Sequence, residues 1–486
     1  MLTYVLDPHS HIPLYAQLYA CLRRDMAQGT LRAGDKLPSK RRLAEQIQVS
    51  VITVEAAYAQ LQAEGYLYAR ERSGYYVCPL DPATPPVPPV DNAGAGGRAA
   101  SPATGGLPAP PEPGGWFCDF RQNGIDASRF PFASWARLLR EVLSEERTHL
   151  LDAVDPQGLP ALREQIAAYL YQFRGMAVSP DQILIGAGTE YLYGLLVQLL
   201  GRDRVFAVEN PGYPKIARIY AQNGVCCRFL PLDDSGLSAA ALRESDADVL
   251  HISPSHQFPT GLVMPVGRRQ ELLRWAEEVP GRVIVEDDYD SEFRLSGRPI
   301  PAMQSIDPAG RVIYTNTFTK SLAPSLRIGY MVLPPTLLCA YRERLGFYAC
   351  TVPSFEQYTL AKFMADGHFE RHIHRMRTTY RALRDRLLRC IQDSPLHTVA
   401  TINEQHAGLH FLLTLRSPLS DRELTQAAAA RGVRVACLSD YWQGTQPPSP
   451  AGGETGTHTF VMCYSGVQPD RLEAAVGRLC EAWRVC

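Results

Sequence analysis

The chain has 486 residues, a formal net charge of −1, and 45% hydrophobic and 20% charged residues. This length exceeds one ordinary domain, so the sequence predicts two or three folded units of the soluble globular class. The near-neutral charge excludes a global attraction to nucleic acid or to an anionic membrane, so any DNA contact must be local. The N-terminus lacks a signal-peptide pattern and no apolar run approaches the roughly 20 residues that span a bilayer, so we expect no membrane segment and a cytoplasmic location.

The first predicted element is an amphipathic helix. Its apolar stripe consists of Leu14, Leu18, Leu22 and Met26, which are four residues apart and therefore share one helical face. Gly29 ends this helix.

Two shorter helices are predicted next, each with a serine at its N-cap. Ser39 precedes KRRLAEQI, and Ser50 precedes VITVEAAYAQLQAEG. After Gly65, the run YLYARERSGYYV predicts two short strands around a turn at Ser73-Gly74. Two closely joined helices followed by a hairpin indicate a winged helix-turn-helix, whose second helix enters the major groove of DNA while the preceding helix and the hairpin contact phosphates.

The motif LPS-x-R-x-LA, followed by VS-x-x-TV-x-x-AY-x-x-L-x-AEGY, closely resembles the DNA-binding domain of the GntR family. The resemblance implies that residues 1–80 bind double-stranded DNA, with Gly74 at the tip of the wing. The expected DNA-binding residues are Ser39, Lys40, Arg41, Arg42, Ser50, Thr53 and Gly74. The family commonly has arginine where Val51 stands and glycine where Arg72 stands. Tyr58 and Leu61 are expected in the core.

Residues 81–115 contain Pro, Gly and Ala but almost nothing that could form a core. This composition predicts a linker, semi-rigid in its Pro-rich first part and flexible afterwards. Two bodies joined in this way can reorient or reach a neighbouring subunit.

From residue 116 onward, apolar runs alternate with helical patterns. The candidate strands are QILIGAG, RVFAVEN, DVLHIS, RVIVEDDY and RVIYTNT. This order predicts a large α/β domain with buried parallel strands. Because ligands in such sheets bind beyond the carboxyl ends of the strands, the polar clusters that follow them should converge on one site.

The stretch TNTFTKSLAPSLRIGY suggests the chemistry of that site. Lys320 could form a Schiff base with an aldehyde, and Arg327 could clamp a phosphate on the same molecule. In EDDYD, Asp287 could pair with a protonated pyridine nitrogen and Tyr289 could contact a phenolic oxygen. Tyr213 offers a ring for stacking.

Four motifs, PSHQFPTG, EDDYDSEFR, TFTKSLAPSLRIGY and AGLHF, resemble fold type I aminotransferases and, together with the N-terminal domain, the MocR group of GntR regulators. The resemblance implies a multidomain protein: a small α+β winged helix-turn-helix and a large α/β fold type I transferase-like domain over residues 116–486, with a small subdomain roughly from 116–170 and 346–486. It implies pyridoxal 5′-phosphate as the cofactor. The expected cofactor-binding residues are Lys320, Asp287, Tyr289, Tyr213, Gly188, Thr189, Glu190, Thr317, Thr319, Arg327 and His256.

Some of these residues have more than one interpretation. For His256, a cofactor contact and a purely structural role remain equally open. His410, in an apolar strand, is expected to be a core histidine. We expect Cys226 and Cys227 to be reduced core residues and no metal site, because no nearby ligand set accompanies them.

Transaminases of this fold hold the substrate carboxylate with an arginine in the motif Arg-x-x-Phe/Tyr-Ser. In FVMCYSG, Val461 stands at that position. A lost charge-assisted pair of about 1.5–3 kcal/mol argues against routine turnover of α-amino acids, although a residual half-reaction stays possible. Lys215 and Arg218 are candidate cations for an effector.

The sequence therefore predicts a homodimeric transcriptional regulator whose aminotransferase-like domain senses an effector: an amine, an amino acid or the cofactor itself. Two alternatives remain open. One is an active aminotransferase that also regulates. The other is a DNA-binding protein whose second domain is a cofactor-free dimerisation scaffold.

Overall fold

The computed structural model describes residues 4, 6–7, 12–70, 73–78, 115–122, 124–295, 300–403, 408–444 and 456–485. The chain divides into two compact units, residues 1–109 and 110–486, and each is described by itself. Apart from residue 115, the predicted linker lies outside the described residues, as does Arg72. The predicted domain boundaries at residues 80 and 116 therefore stay predictions.

The described part of the N-terminal unit contains three helices and one antiparallel hairpin. These are α1 Leu14–Ala27, α2 Lys40–Ile47, α3 Val51–Ala63, β1 Leu67–Arg70 and β2 Gly74–Val77. Both predicted N-caps are present: the Ser39 hydroxyl accepts from the N–H of Arg42 at 3.3 Å, and the Ser50 hydroxyl accepts from the N–H of Thr53 at 3.1 Å.

The core of this unit forms where α1 packs on α3. Leu18 and Leu22 of the predicted stripe are fully buried, and Leu14 is half-buried at the start of the helix. Tyr58 and Leu61 are buried, as their spacing predicts, and the Tyr58 hydroxyl donates to the carbonyl of Pro38 at 3.0 Å. This bond ties α3 to the turn before α2.

The C-terminal unit is built on an eight-stranded sheet with the order β4-β11-β10-β9-β8-β5-β6-β7, a four-stranded sheet β12-β13-β16-β15, and the pair β14-β3. The strands are β3 Cys118–Asp119, β4 Ile183–Gly186, β5 Val205–Asn210, β6 Cys226–Asp233, β7 Gly236–Leu237, β8 Val249–Ile252, β9 Val283–Asp287, β10 Val312–Thr317, β11 Gly329–Val332, β12 Ala400–Asn403, β13 His410–Arg416, β14 Val433–Arg434, β15 Ala436–Cys437 and β16 Thr457–Cys463.

Helices flank these sheets. They are α4 Phe132–Glu145, α5 Pro160–Arg174, α6 Thr189–Leu200, α7 Pro214–Gln222, α8 Ala239–Glu244, α9 Val266–Glu278, α10 Pro335–Arg344, α11 Ser354–Ala365, α12 His368–Gln392, α13 Asp421–Ala430 and α14 Leu472–Ala482. Within the described residues, no helix is long and apolar enough to cross a membrane.

All five candidate strands of the sequence are present, as β4, β5, β8, β9 and β10. Four of them, β5, β8, β9 and β10, are parallel neighbours in the sheet. In the pair β9·β10, Val285 lies opposite Ile313. The sequence analysis missed β11, which pairs antiparallel with both β10 and β4. The β10–β11 connection carries Lys320 and Arg327 at the carboxyl edge of the sheet.

The expectation that Cys226 lies in the core was wrong. Cys226 is exposed and Cys227 is half-buried. Both lie at the start of β6, which pairs with β5 on one side but meets only the two-residue β7 on the other, at Leu232 and Asp233. An edge position without a covering neighbour leaves these side chains accessible. All the cysteines that the structure describes are free.

Candidate functional site

A cavity of about 780 Å³ opens beyond the carboxyl ends of the parallel strands. It gathers most of the predicted cofactor and effector residues, although Gly188 and His256 do not line it. The predicted residues in its wall are Thr189, Glu190, Tyr213, Lys215, Arg218, Asp287, Tyr289, Thr317, Thr319, Lys320 and Arg327. Segments far apart in sequence therefore meet at one site, as the strand-end argument requires.

Lys320 lines the cavity, three residues after β10 ends. Burial lowers the pKa of its amine, and the nearby Cys463 and Asp290 oppose this effect only in part. A larger neutral fraction makes the amine a better nucleophile, which is the property that a carbonyl-binding lysine needs.

An anion cradle forms between the start of α6 and the β10–β11 connection. Gly188 caps α6 with φ 85°, and a Cβ atom there would lie 2.8 Å from Nη2 of Arg327, so a larger residue would require the guanidinium to shift. The hydroxyls of Thr317 and Thr319 are 2.7 Å apart beside it. A helix N-terminus, two hydroxyls and an arginine suit a phosphate.

Glu190 ion-pairs with both Arg327 and Lys215. These contacts lower the pKa of Glu190, with the Lys215 hydrogen bond as the largest cause. Lys215, predicted as an effector cation, thus lies at the anion cradle. Arg218, on the same helix α7, lines the cavity and makes no ion pair with a described residue.

Asp287 ends β9 with one carboxylate oxygen occupied and one unpaired. Its Oδ2 accepts from the Tyr193 hydroxyl at 2.7 Å and lies 3.5 Å from Nε2 of His251. Its Oδ1 is buried and has no hydrogen-bond partner. A buried, oriented carboxylate with a free oxygen fits a protonated ring nitrogen, since a charge-assisted bond would satisfy both groups.

Tyr289 is held by a chain of contacts behind the cavity wall. Its hydroxyl lies 3.1 Å from Nδ1 of His256, and the same nitrogen lies 2.9 Å from Oδ2 of Asp290. A Cβ on Gly408 would lie 1.8 Å from the His256 ring, so the glycine of AGLHF permits this packing. His256 contacts Tyr289 and does not line the cavity.

His410 is a core histidine, in agreement with the prediction. It is buried, its Nε2 lies 3.2 Å from the carbonyl oxygen of Pro259, and its ring centre lies 4.6 Å from that of His256. Burial lowers the pKa of His410 well below its ordinary value, so the ring stays neutral.

The sequence analysis missed several residues that line the cavity: Arg121, Tyr193, Glu209, His251, Asp440, Tyr441 and Gln443. Tyr193 lies inside α6. Only its position on the face of the helix that packs toward the sheet could have indicated its role. Glu209 was detectable as an acidic residue ending an apolar strand. Arg121 follows Phe120, whose carbonyl accepts from the N–H of Cys463 at 2.9 Å, so it lies beside the end of β16.

Val461 lies in the middle of β16, opposite Leu412 and Ala436, and it is fully buried. It packs in an apolar cluster with Tyr441 and Cys463. Val461 does not line the cavity, and its surroundings would not accommodate a charged side chain without desolvation.

The predicted DNA-binding residues gather at the starts of α2 and α3. Arg41 and Arg42 are exposed, whereas Lys40 pairs with Glu55 of α3 at 2.6 Å and lies over the Tyr75 ring. The Ser50 and Thr53 hydroxyls are 2.8 Å apart.

The wing glycine, Gly74, is the first residue of β2. It has φ 118°, which an L-residue rarely adopts. Glycine is therefore favoured at this position, and its contact with DNA stays a prediction.

Comparison with known proteins identifies both units. Residues 14–77 match the family "Bacterial regulatory proteins, gntR family", and residues 122–476 match "Aminotransferase class I and II". The chain belongs to the MocR group of GntR-family regulators. This confirms the predicted family and fold class, and with the geometry above it identifies pyridoxal 5′-phosphate as the cofactor of this MocR-group protein.

Several relatives match this MocR-group chain over nearly its whole length. The uncharacterized HTH-type transcriptional regulator YdeL of Bacillus subtilis is 36% identical over 98% of this chain and 97% of its own. The pyridoxine biosynthesis transcriptional regulator PdxR of Corynebacterium glutamicum is 33% identical over 98% and 97%, and the probable rhizopine catabolism regulatory protein MocR of Rhizobium meliloti is 32% identical over 99% and 95%.

Solved structures show the same fold for the C-terminal unit. Kynurenine aminotransferase of Pyrococcus horikoshii, solved with PMP, has a TM-score of 0.66 at 24% identity and covers 77% of this chain and 92% of its own. The α-aminoadipate aminotransferase LysN of Thermus thermophilus has a TM-score of 0.63 at 22% identity and covers 75% and 92%.

Proposed function

We propose that this protein is a cytoplasmic homodimer that changes its affinity for promoter DNA when an amine binds in the cofactor cavity. One observation carries the proposal. The groups that suit pyridoxal 5′-phosphate are assembled around one cavity, in a chain that also carries a GntR-type DNA-binding unit. An amine-binding site in such a chain suits sensing better than turnover.

Each part of the cofactor has a group suited to it. Lys320 would hold the aldehyde carbon, Asp287 the ring nitrogen and Tyr289 the phenolic oxygen, with Tyr213 against the ring. Thr189, Thr317, Thr319 and Arg327 would hold the phosphate. When bound, the cofactor supplies an electrophilic carbon that reacts reversibly with primary amines.

The chain's own residues prepare this reaction. Asp287, oriented by the Tyr193 hydroxyl, would hold a proton at the ring nitrogen of the bound cofactor. The lowered pKa of Lys320 makes its amine available in the neutral form, which is the form that would bond to the cofactor's aldehyde.

The cations in the cavity suggest the chemical class of the effector. Arg121 and Arg218 line the cavity and make no ion pair with a described residue, whereas Lys215 and Arg327 share Glu190. We assign Lys215 to the anion cradle and Arg121 and Arg218 to the effector. An amine with an acidic group would satisfy both the cofactor and an unpaired guanidinium.

Signalling requires the effector to favour one arrangement of the protein. A tenfold change in DNA affinity corresponds to a coupling free energy of about 1.4 kcal/mol, and the same factor must apply to the effector's affinity when DNA binds. Measuring effector affinity with and without DNA tests this reciprocity.

The test of the proposal uses the full chain loaded with pyridoxal 5′-phosphate. We expect L-alanine or another amino acid to change the dissociation constant for DNA from the region upstream of the protein's own gene, without sustained keto-acid production. Sustained keto-acid production would instead favour an aminotransferase that also regulates. A protein that stays colourless with excess cofactor would support the scaffold alternative.

Two variants test the effector assignment. Arg121→Gln and Arg218→Gln should each weaken the spectral response to L-alanine while leaving that to ethylamine, which lacks the carboxylate, unchanged. Arg228→Gln is a control, because Arg228 pairs with Asp246 on the surface. Equal responses to both ligands in the unmodified protein would refute a carboxylate-binding role.

A further inference from the structure

Two adjacent aliphatic side chains are exposed at the start of α3. Ile52 has 76% of its surface accessible and Val51 has 41%. They occupy the first turn of the helix, directly after the N-cap Ser50. Further along α3, the residues that pack in the core of the unit are Val54, Ala57, Tyr58 and Leu61.

The exposed face of α3 offers no cation to a base. The helix sequence VITVEAAYAQLQA contains no Lys or Arg, and its one charged residue, Glu55, pairs with Lys40 of α2 at 2.6 Å. The Thr53 hydroxyl lies 2.8 Å from that of Ser50. Guanine is most often recognised through its N7 and O6 atoms by Arg or Lys, so α3 lacks the usual means of reading it.

The first turn of α3 instead exposes the methyl groups of Val51 and Ile52. In a helix-turn-helix, the N-terminal residues of the second helix contact base edges in the major groove. Thymine alone among the four bases carries a methyl group there, and apolar side chains recognise it by contact. The exposed Arg41 and Arg42, at the start of α2, are placed for the phosphates that flank such a contact.

We propose that Val51 and Ile52 recognise thymine by packing against its 5-methyl group. This inference rests on the DNA-binding role of the N-terminal unit and adds the base that α3 reads.

The experiment starts from a duplex that the full-length protein selects from a random library. Each thymine is replaced in turn by deoxyuridine, which has the same hydrogen-bonding edge but lacks the methyl group. We expect the replacement to weaken binding about fourfold at one or two positions of each half-site, which corresponds to about 0.8 kcal/mol for one buried methyl group. Other thymines should tolerate it.

Variants connect those positions to the two side chains. Ile52→Ala and Val51→Ala should weaken binding to the thymine duplex and lose the difference between thymine and deoxyuridine. Ile12→Ala, which removes another exposed aliphatic side chain of the same unit, is the control and should keep the full difference. Both tested residues are exposed, so the variants should fold, and circular dichroism verifies this.

The outcomes are distinct. If no thymine is sensitive to deoxyuridine, or if both variants keep the full penalty, the thymine assignment is wrong although the protein binds DNA. If the library yields no selected duplex, the DNA-binding role of the N-terminal unit is wrong, and the thymine assignment is then wrong as well.

Discussion

At the scale of single residues, the motif EDDYD shows how neighbouring carboxylates acquire different tasks. Asp287 lines the cavity with Oδ1 unpaired, whereas Asp288 is buried against Arg174 at 2.9 Å and accepts from the Tyr314 hydroxyl at 2.5 Å. Successive side chains along an extended strand point to opposite faces, and Asp288 directly follows Asp287, the last residue of β9. Asp287 is therefore the carboxylate that can pair with the cofactor, whereas Asp288 is already paired in the core.

Asp287→Asn keeps the shape of this side chain but removes its charge. We expect the affinity for pyridoxal 5′-phosphate to fall at least about tenfold, because a charge-assisted hydrogen bond contributes about 1.5–3 kcal/mol. Equilibrium dialysis measures the change. Asp246→Asn, at the surface pair with Arg228, should bind the cofactor normally, and an equally normal Asp287→Asn would contradict the pairing.

Lys320→Ala removes the amine that would bind the cofactor covalently. The variant loaded with pyridoxal 5′-phosphate should therefore lack the absorption band near the visible edge that the covalently bound cofactor gives. Lys362→Ala is the matched control, since Lys362 lies on α11 within 3.5 Å of Glu141 and Glu145 and does not line the cavity. A band that survives Lys320→Ala would assign the bond to another amine.

Glu209 should make stability depend on pH. Burial raises the pKa of its carboxyl to about 8, from an ordinary value of 4.5. Between these values the unfolded chain releases the proton and the folded one retains it, so this group lowers the free energy of unfolding as pH rises, by at most about 1.4 kcal/mol per pH unit.

Glu209→Gln should remove this slope, so that the variant gains stability relative to the unmodified protein from pH 5 to pH 8. Denaturant unfolding followed by tryptophan fluorescence reports on the correct unit, because all 5 tryptophans follow residue 115. Glu277→Gln, an exposed position on α9, should leave the slope unchanged. A slope that persists in Glu209→Gln would assign it to other buried acids.

At the scale of elements, the start of α6 determines whether the anion cradle can form. The helix begins after a glycine whose φ is 85°, and its first residues face the connection that carries Arg327. The backbone must approach the guanidinium closely for both to reach one phosphate. Side-chain volume at this point should therefore act on cofactor binding more than on folding.

Gly188→Ala should reduce cofactor affinity about tenfold or more, because its Cβ would displace Arg327 and the backbone would be strained. Gly267→Ala is the control: it lies in α9, and a Cβ there meets nothing within 4 Å. Isothermal titration with pyridoxal 5′-phosphate compares them. Equal affinities would show that Arg327 can bind phosphate from another position.

At the scale of the whole molecule, a dimer with tethered DNA-binding units should prefer DNA with two half-sites. The second contact is then intramolecular, so affinity should exceed that for a single half-site by about 100-fold or more when the linker can span the distance. Gel retardation with one and two half-sites at several spacings measures this. Equal affinities would indicate a protein that engages DNA through one unit only.

Much of this protein follows from its sequence because the information is local. The caps at Ser39 and Ser50, the hairpin at Gly74 and the five strand runs depend on nearby residues, and the motif around Lys320 specifies the chemistry of the site. Tertiary structure alone decided which side chains meet. It placed Lys215 with Glu190, Asp288 away from the cavity, and Arg121 beside β16, and it left Cys226 on an open edge. These outcomes depend on strand order and on pairings between distant segments, which no local pattern of residues encodes.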